Sequence, residues 1–278
     1  MSALEVRGRR FAWGSRTYVM GVVNATPDSF SGDGVEADPT SAGDLAAEFE
    51  RAGADMVDVG AVSTRPDGPP VSLDEELRRL SPALEEVRRA TSLPVSVDTW
   101  RAPVAEVAID SGADIVNDVH GLLRDSEMAN VIASAGVPCI LMHNQRGRNF
   151  KGVVASITEG FEESLAVADS AGIDSGLVVL DPGFGFGWTP QQNLEMVRRL
   201  PELWKFQLPL LLGVSRKSTI GTVLDRPVDQ RLEGTLAAVV SAIGGGGDIV
   251  RVHDVPEVVR AVRLADAIVR GNWNAPGE

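Results

Sequence analysis

Eight short apolar runs in this chain each end on, or just before, a side chain that can hydrogen-bond or carry charge. In order these are Asn24, the triplet Ser63-Thr64-Arg65, Asp98, Asn117, His143, Asp181, the stretch Ser215 to Lys217, and Arg251 with His253. Carboxylates and amides supply acceptors and donors in fixed directions, and Arg, Lys and His can hold an anionic group such as a phosphate. The spacing is also informative. Ser215 and Lys217 are two apart, as are Arg251 and His253, so in extended chain each pair shares one face. Polarity resumes at the end of any strand, but eight consecutive ends chosen from these residue types describe a composed binding site for a polar, charged ligand.

The runs that must position these groups are residues 17–24, 54–61, 93–99, 113–119, 138–144, 177–183, 209–215 and 248–254. They are near-continuous in Val, Ile and Leu, the pattern of strands buried on both faces. Amphipathic stretches lie between them, for example "LDEELRRLSPALEEVRRA" over 73–90 and "LEGTLAAVVSAIGG" over 232–245. Eight strand–helix alternations predict an α/β fold with eight parallel strands, and the count selects a closed (β/α)8 TIM barrel in one domain over 1–278, with its core at about 17–270. In such a barrel the strand ends converge at the C-terminal face. A weak internal repeat agrees: "GADMVDVG", "GADIVNDV" and "GGDIVRVH" begin at Gly53, Gly112 and Gly246. In each, a glycine suited to a left-handed helix C-cap is followed by an Asp and then a strand.

The chain has 278 residues, 44% of them hydrophobic and 23% charged, with a formal charge of −13, an ordinary globular composition for a domain of this size. That acidity argues against a nucleic-acid partner, which needs a basic face, and leaves room for a small phosphorylated ligand held by local cations. No run reaches the ~18 apolar residues of a membrane span. No signal peptide is read at the N-terminus, so no membrane association and a cytoplasmic location are expected. The single cysteine, Cys139, lies inside "VPCILM" and reads as a buried small hydrophobe.

Taken together, "VNATPDSFSGDG", "STRP", "SVDT", "VNDVHG", "LMH", "DPGFGFG", "GVSRKSTIG" and "RVHDV" resemble the dihydropteroate synthase family, in order, from about residue 18 to about residue 266. Each motif alone is weak; the Asn-bearing first loop, the Ser-Arg-Lys turn and the terminal Arg-x-His in combination are specific. The resemblance implies a transferase that joins 4-aminobenzoate to 6-hydroxymethyl-7,8-dihydropterin diphosphate in folate biosynthesis, releasing diphosphate, in a barrel that is usually a homodimer. It places the aminopyrimidinone edge of the pterin on Asp98, Asn117 and Asp181, with Lys217 beside the ring, and the diphosphate on Arg251 and His253, with Arg65 reaching in. Asn24 would help hold Mg2+. Thr64, Pro66, Phe30 and Phe186 would flank the aminobenzoate ring, and Ser215 with the helix that follows would take its carboxylate. Arg216, Met142 and Gly213 complete the expected substrate pocket. Loops 25–36 and 63–70 would close over the reacting centre and exclude water.

Three positions depart from the family pattern. Gly60-Ala61-Val62 stands where Gly-Gly-Glu is usual, Trp188 stands where a Lys commonly follows "GFG", and the connection after His143 is short. These leave two alternatives open, a catalytically altered pterin-binding paralogue and a pterin-dependent methyltransferase-type domain. A Schiff base on Lys217, as in barrel aldolases, is a further and weaker reading. A nucleotide loop at "DPGFGFG" is rejected, since the Walker lysine and dinucleotide spacing are missing.

Overall fold

In the computed structural model, which describes residues 2–25, 39–62, 70–271 and 273, the eight apolar runs form eight parallel strands. They are preceded by an antiparallel hairpin of β1 (Leu4–Val6) and β2 (Arg9–Phe11), which the sequence reading did not include. The barrel then alternates β3 (Tyr18–Asn24), α1 (Pro39–Ala52), β4 (Met56–Gly60), α2 (Leu73–Ala90), β5 (Val95–Asp98), α3 (Ala102–Asp110), β6 (Ile115–Asp118) and α4 (Met128–Ala135). It continues with β7 (Cys139–Met142), α5 (Val153–Ser170), β8 (Val178–Asp181), α6 (Pro190–Arg198), β9 (Leu211–Leu212), α7 (Ser218–Leu224), α8 (Leu232–Gly244), β10 (Ile249–Val252) and α9 (Val255–Arg270). Neighbours run β8-β7-β6-β5-β4-β3-β10-β9, and a parallel bridge between Leu180 and Leu210 joins the two ends into a barrel. β9 pairs over two residues only, because the chain leaves the ladder at Gly213.

Period-two alternation decides what each strand residue touches. Val57, Val59, Val97, Leu141, Leu180 and Val252 face outward into the layer under the helices. Met20, Met56, Ile115, Ile140, Val179, Leu211 and Ile249 face inward and fill the lower barrel. The hairpin closes that end: Leu4, Val6, Phe11 and Tyr18 join the same inner cluster, with Phe11 and Tyr18 ring centroids 4.9 Å apart. The helices follow from sequence in the ordinary way. Helix α2 starts where the Ser72 hydroxyl accepts the Glu75 N–H at 3.2 Å, and it buries Leu80, Ala83, Leu84 and Val87 on one face.

The three-fold repeat has a mechanical function at this lower end. Gly53, Gly112 and Gly246 have φ of +95°, +96° and +86°, a region open to glycine. The Asp that begins each repeat strand then makes one recurring reciprocal contact. Asp55, Asp114 and Asp248 donate their backbone N–H to Val19, Val95 and Leu210 O, and their carboxylates accept the N–H of those same three residues at 2.8, 2.9 and 3.1 Å. Each carboxylate thus fastens the start of its own strand to the neighbouring strand. Among the described residues no helix is long and apolar enough to cross a membrane.

The plug is hydrophobic and remote from the strand C-termini, so it supports stability rather than ligand binding. Phe11→Ala is expected to lower unfolding free energy by about 3–5 kcal/mol, read from the urea midpoint, while ligand affinity at the opposite face stays unchanged in the folded protein.

Candidate active site

One layer above the apolar floor, the inward positions change character. Asp58 of β4, Asp98 of β5, Asn117 of β6, Met142 of β7, Asp181 of β8 and Arg251 of β10 all face inward, with Gly213 just past β9. The register makes the convergence unavoidable: Gly60 lies beside Asp98, Asp98 beside Asn117, and Met142 beside Asp181. Polar side chains spread over nearly two hundred positions therefore share one cavity.

The centre of the arrangement is Arg251. Its Nε donates to Asp58 Oδ2 at 2.6 Å and its Nη2 to Asp98 Oδ2 at 2.9 Å, so the guanidinium reaches from β10 across to β4 and β5. Asp58 Oδ2 also accepts from Asn117 Nδ2 at 3.0 Å, which orients that amide with its oxygen left over. Asp181 Oδ1 accepts the Gly183 N–H at 2.8 Å, the capping task its position before "PGFGFG" allows, and Oδ2 remains. Lys217 Nζ lies 4.2 Å from the Phe186 ring centroid. Among the described residues, no protein hydrogen-bond partner meets Asp98 Oδ1, Asn117 Oδ1, Asp181 Oδ2, Arg251 Nη1 or Lys217 Nζ. Three acceptors and two donors are thus unspent in one buried space, a pattern that calls for a ligand.

Burial tunes the charges. It pushes the Asp98 carboxyl up to about 7, with Arg251 opposing and Asp58 reinforcing. It also pushes Asp181 up to about 6, against the Gly183 N–H and Lys217. Desolvation, then Arg251, brings Lys217 down to about 8. Desolvation works against the Arg251 charge too, but Asp58 and Asp98 outweigh it and raise its pKa. Clustered shifts of this kind are the mark of functional sites.

The "DPGFGFG" loop is shaped by its glycines. Gly183 has φ +77°, and a Cβ there would lie 1.9 Å from His143 O; Gly185 has φ +85° and packs against the Lys217 stem. Asn193 fastens the loop from α6, accepting from Gly185 N at 2.7 Å and donating to Thr219 Oγ1 at 2.9 Å. Phe186 is thereby held with Met142, Val119 and Trp100 as an apolar patch at the mouth. Beside it, a Cβ at Gly213 would meet nothing within 4 Å, so this glycine borders open space.

A family model described as "Pterin binding enzyme" matches residues 20–253. The chain is 42% identical over 268 residues to the dihydropteroate synthase of Clostridium beijerinckii, covering 96% of this chain and all of that one. The chain belongs to the dihydropteroate synthase family. A dihydropteroate synthase of Clostridium difficile, solved in the presence of pteroic acid, superposes with a TM-score of 0.88 at 46% identity, over 94% of this chain and 99% of that one. The Xanthomonas albilineans dihydropteroate synthase with 4-aminobenzoic acid gives 0.89 at 37% identity, over 96% and 97%. The expected fold is the observed one, and the activity is that of a dihydropteroate synthase-type transferase.

Within the family frame, the expected site residues fall into three groups. Asp98, Asn117, Asp181, Lys217 and Arg251 come together, with Met142, Phe186 and Gly213 around them. Phe30, Thr64, Arg65 and Pro66 lie outside the described residues. Ser215, Arg216 and His253 form a third group. Ser215 is buried, and its Oγ accepts the His253 N–H at 3.2 Å and lies 3.0 Å from His253 Nδ1. In the tautomer where Nδ1 accepts the Ser215 hydroxyl proton, Nε2 carries the hydrogen and is the remaining donor. Burial, then Arg251 and Arg216, holds the His253 imidazole down to about 3, so it contributes a neutral donor rather than charge. Arg216 has φ +54°, and its guanidinium forms a fork with Asp254 at 3.0 and 2.5 Å. With Ser215 engaged by His253, the exposed hydroxyl at the start of α7 is that of Ser218.

Two further positions resolve as packing. His143 is buried, pairs with Gln145 Oε1 at 3.0 Å through Nε2, and is roofed so closely by α5 that a Cβ on Gly160 would fall 1.9 Å from its Nδ1. Trp188, in place of the usual Lys, is buried against His143 and Phe150, at ring centroids 5.6 and 6.4 Å away. Asp58 is the functional residue that reading strand ends missed, since it lies inside β4. The available signal was an ionisable residue in the middle of "MVDVG", where an otherwise apolar strand is buried on both faces. Asp58→Asn removes one of the two carboxylates on Arg251 while conserving shape. Turnover is expected to fall about a hundredfold through a misplaced guanidinium, with pterin affinity weakened and aminobenzoate affinity preserved, measured by steady-state kinetics and ligand titration.

Proposed function

We propose that the barrel mouth holds 6-hydroxymethyl-7,8-dihydropterin diphosphate with its ring on Asp98, Asn117, Asp181 and Lys217 and its diphosphate toward Arg251 and His253. 4-Aminobenzoate is joined to its methylene carbon. The unspent acceptors and donors carry this reading. A pterin edge presents ring and amino N–H groups, which suit Asp181 Oδ2 and Asn117 Oδ1, while its carbonyl and ring nitrogens suit Lys217 Nζ. A site that leaves buried polar atoms unpaired rejects rings lacking those groups. Gly213 leaves room for the ring, and Phe186 and Met142 supply apolar cover for it and for the aryl group.

The substitution breaks the C–O bond, whose electron pair leaves with diphosphate. The arylamine nitrogen then forms the new C–N bond and loses a proton. Arg251 Nη1 and the His253 Nε2–H offer a cation and a donor to the leaving group in a water-poor site, where such contacts are strong. Exclusion of water leaves the amine as the available nucleophile. Ser218 and the start of α7 are the proposed partners of the aminobenzoate carboxylate, with Thr64, Pro66 and Phe30 contributed by the two loops and Arg65 near the diphosphate.

Asn24 ends β3 at the rim, half-buried, and its amide makes no hydrogen bond among the described residues. The described residues hold no cluster of three His, Cys, Asp or Glu side chains suited to a metal. A lone amide oxygen fits Mg2+, which keeps several waters and takes phosphate oxygens as its other ligands. When bound there, the ion would neutralise charge on the leaving diphosphate. The homodimer is proposed on the outer face of α6, α7 and α8, where an apolar groove of about 590 Å³ is lined by Val197, Ile220, Val223 and Leu224. Location in the cytoplasm is proposed with it, in keeping with Cys139, whose thiol burial pushes up to about 12.

Diphosphate release measured with both substrates and Mg2+ tests the reaction. It is expected to require aminobenzoate and to match dihydropteroate formed, and release independent of aminobenzoate with no coupled product overturns the reading. Arg251→Ala is expected to weaken the diphosphate ester far more than the bare pterin alcohol. The charge states give a second test. Asp181 accepts as a carboxylate, the form present above about 6, and Lys217 donates as an ammonium, the form present below about 8. Pterin affinity is expected to peak between those values and decline on either side, and Asp181→Asn is expected to flatten the acid limb in a calorimetric pH series.

A further inference from the structure

Lys217 stands on a segment that the sheet does not hold. β9 pairs with β10 over Leu211 and Leu212, and the chain has left the ladder before it reaches Ser215. The backbone bond that closes the turn, Lys217 N–H to Val214 O, is long at 3.4 Å. The turn is carried by Arg216, whose φ of +54° is a left-handed conformation that L side chains rarely adopt. Such a conformation persists where the surrounding structure over-determines it.

Contacts from three places do so. The buried Thr235 of α8 accepts the Arg216 N–H on its hydroxyl at 3.1 Å. Arg231, just before α8, donates from Nη1 to Arg216 O at 3.0 Å, and it packs so closely on α7 that a Cβ on Gly221 would fall 2.3 Å from its Nη2. Asp254, in the β10–α9 connection, takes the side chain: Oδ2 accepts from Nε at 3.0 Å and Oδ1 from Nη2 at 2.5 Å. Both side chains of this fork are largely shielded from solvent, which sets it apart from a surface ion pair of small consequence. The use of Asp254 departs from what its place in the chain offers. It is the N-cap of α9, where an Asp side chain ordinarily accepts an N–H of the first helical turn, and it makes no such bond. Its two oxygens are turned to Arg216 instead.

The outcome is read one residue later. With Arg216 pinned, Lys217 runs its stem along Gly185 and sets Nζ 4.2 Å from the Phe186 ring centroid, inside the pterin centre. His253, which directly precedes Asp254, holds Ser215 on the other side of the same turn. We propose that Asp254 is a positioning residue for the transfer reaction: its grip on Arg216 keeps the left-handed turn that delivers Lys217 to the pterin ring. This role rests on Lys217 being a donor to that ring. An acidic side chain does not hold a diphosphate, so the contribution of Asp254 is geometric and is felt at the ring.

Asn and Ser are both good helix N-caps, so Asp254→Asn and Asp254→Ser preserve the start of α9, while neither offers two anionic oxygens to the guanidinium. Both are expected to unfold in one cooperative thermal transition. Calorimetric titration of the full-length protein with 6-hydroxymethyl-7,8-dihydropterin is expected to show about tenfold weaker binding in each. The loss is expected to be at least as large for this alcohol as for its diphosphate ester. A pH series separates placement of Lys217 from bulk stability. Burial and then Arg251 hold Lys217 down to about 8, with Asp181 and Asp98 opposing and Arg146 adding to the effect. A Lys217 drawn out of the centre no longer contributes, so the decline of wild-type affinity above that pH is expected to flatten in both variants. Arg216→Gln is expected to weaken pterin binding by a similar factor, and Asp254→Asn with Arg216→Gln by no more, because the two side chains act as one unit. The role is overturned if either Asp254 variant binds the alcohol as the wild type does, if the losses multiply in the double variant, if only the ester is affected, or if the alkaline limb is unchanged. A wild type that fails to bind the alcohol overturns the ring reading itself, and this role with it.

Discussion

The Arg251 guanidinium, held between Asp58 and Asp98 inside the barrel, is the interaction on which the rest of the site depends. A charge so placed is tolerated only when its partners are close and well aimed, and removing one partner leaves the other charge exposed to the full desolvation penalty. The same pair of carboxylates determines what remains for a ligand. Asp58 spends one oxygen on both Arg251 and Asn117, which turns the Asn117 oxygen toward the cavity. Asp98 gives one oxygen to Arg251 and keeps the other. The network is therefore stabilising and incomplete at once, and the incompleteness is what can bind.

The barrel separates this polar layer from a dry one. Below it, Met20, Met56, Ile140, Leu211 and Ile249 pack against the N-terminal hairpin, and the repeat aspartates fasten strand to strand. The hydrophobic free energy is concentrated there and under the helices, at roughly 25 cal/mol per Å² of apolar surface buried. A site with raised carboxylates and a lowered lysine lowers stability locally, and such a site persists where the surrounding structure fixes the backbone independently. The division into floor and mouth is how one sheet serves both ends.

Charge is organised on the same principle. The chain is strongly acidic, yet Arg251, Lys217 and the cluster of Arg124, Arg146 and Arg148 all lie near the strand C-termini. Phe186 connects the two groups, with Lys217 4.2 Å and Arg146 4.8 Å from its ring centroid. A few cations in concave, poorly hydrated surroundings create a local potential that net charge does not describe.

The sequence by itself determined the strand count, the parallel barrel and the set of polar strand ends, because period-two alternation and buried Val/Ile/Leu runs are local properties. It also determined the three left-handed glycines, which need only a helix end and a following Asp. It did not determine the hairpin plug: two three-residue strands carry too little periodicity, and their burial depends on the far side of the barrel. Asp58 was legible as an anomaly in an apolar strand, but its role was not, since its partners Asn117 and Arg251 lie 59 and 193 residues away. The same limit applied to Ser215, which His253 engages, to His253, which burial and the charges of Arg251 and Arg216 keep neutral, and to His143, which α5 turned into packing. Residue type and spacing fix which face a side chain occupies. Which atoms of that side chain are already spent is decided only when distant strands close the barrel and set the distances.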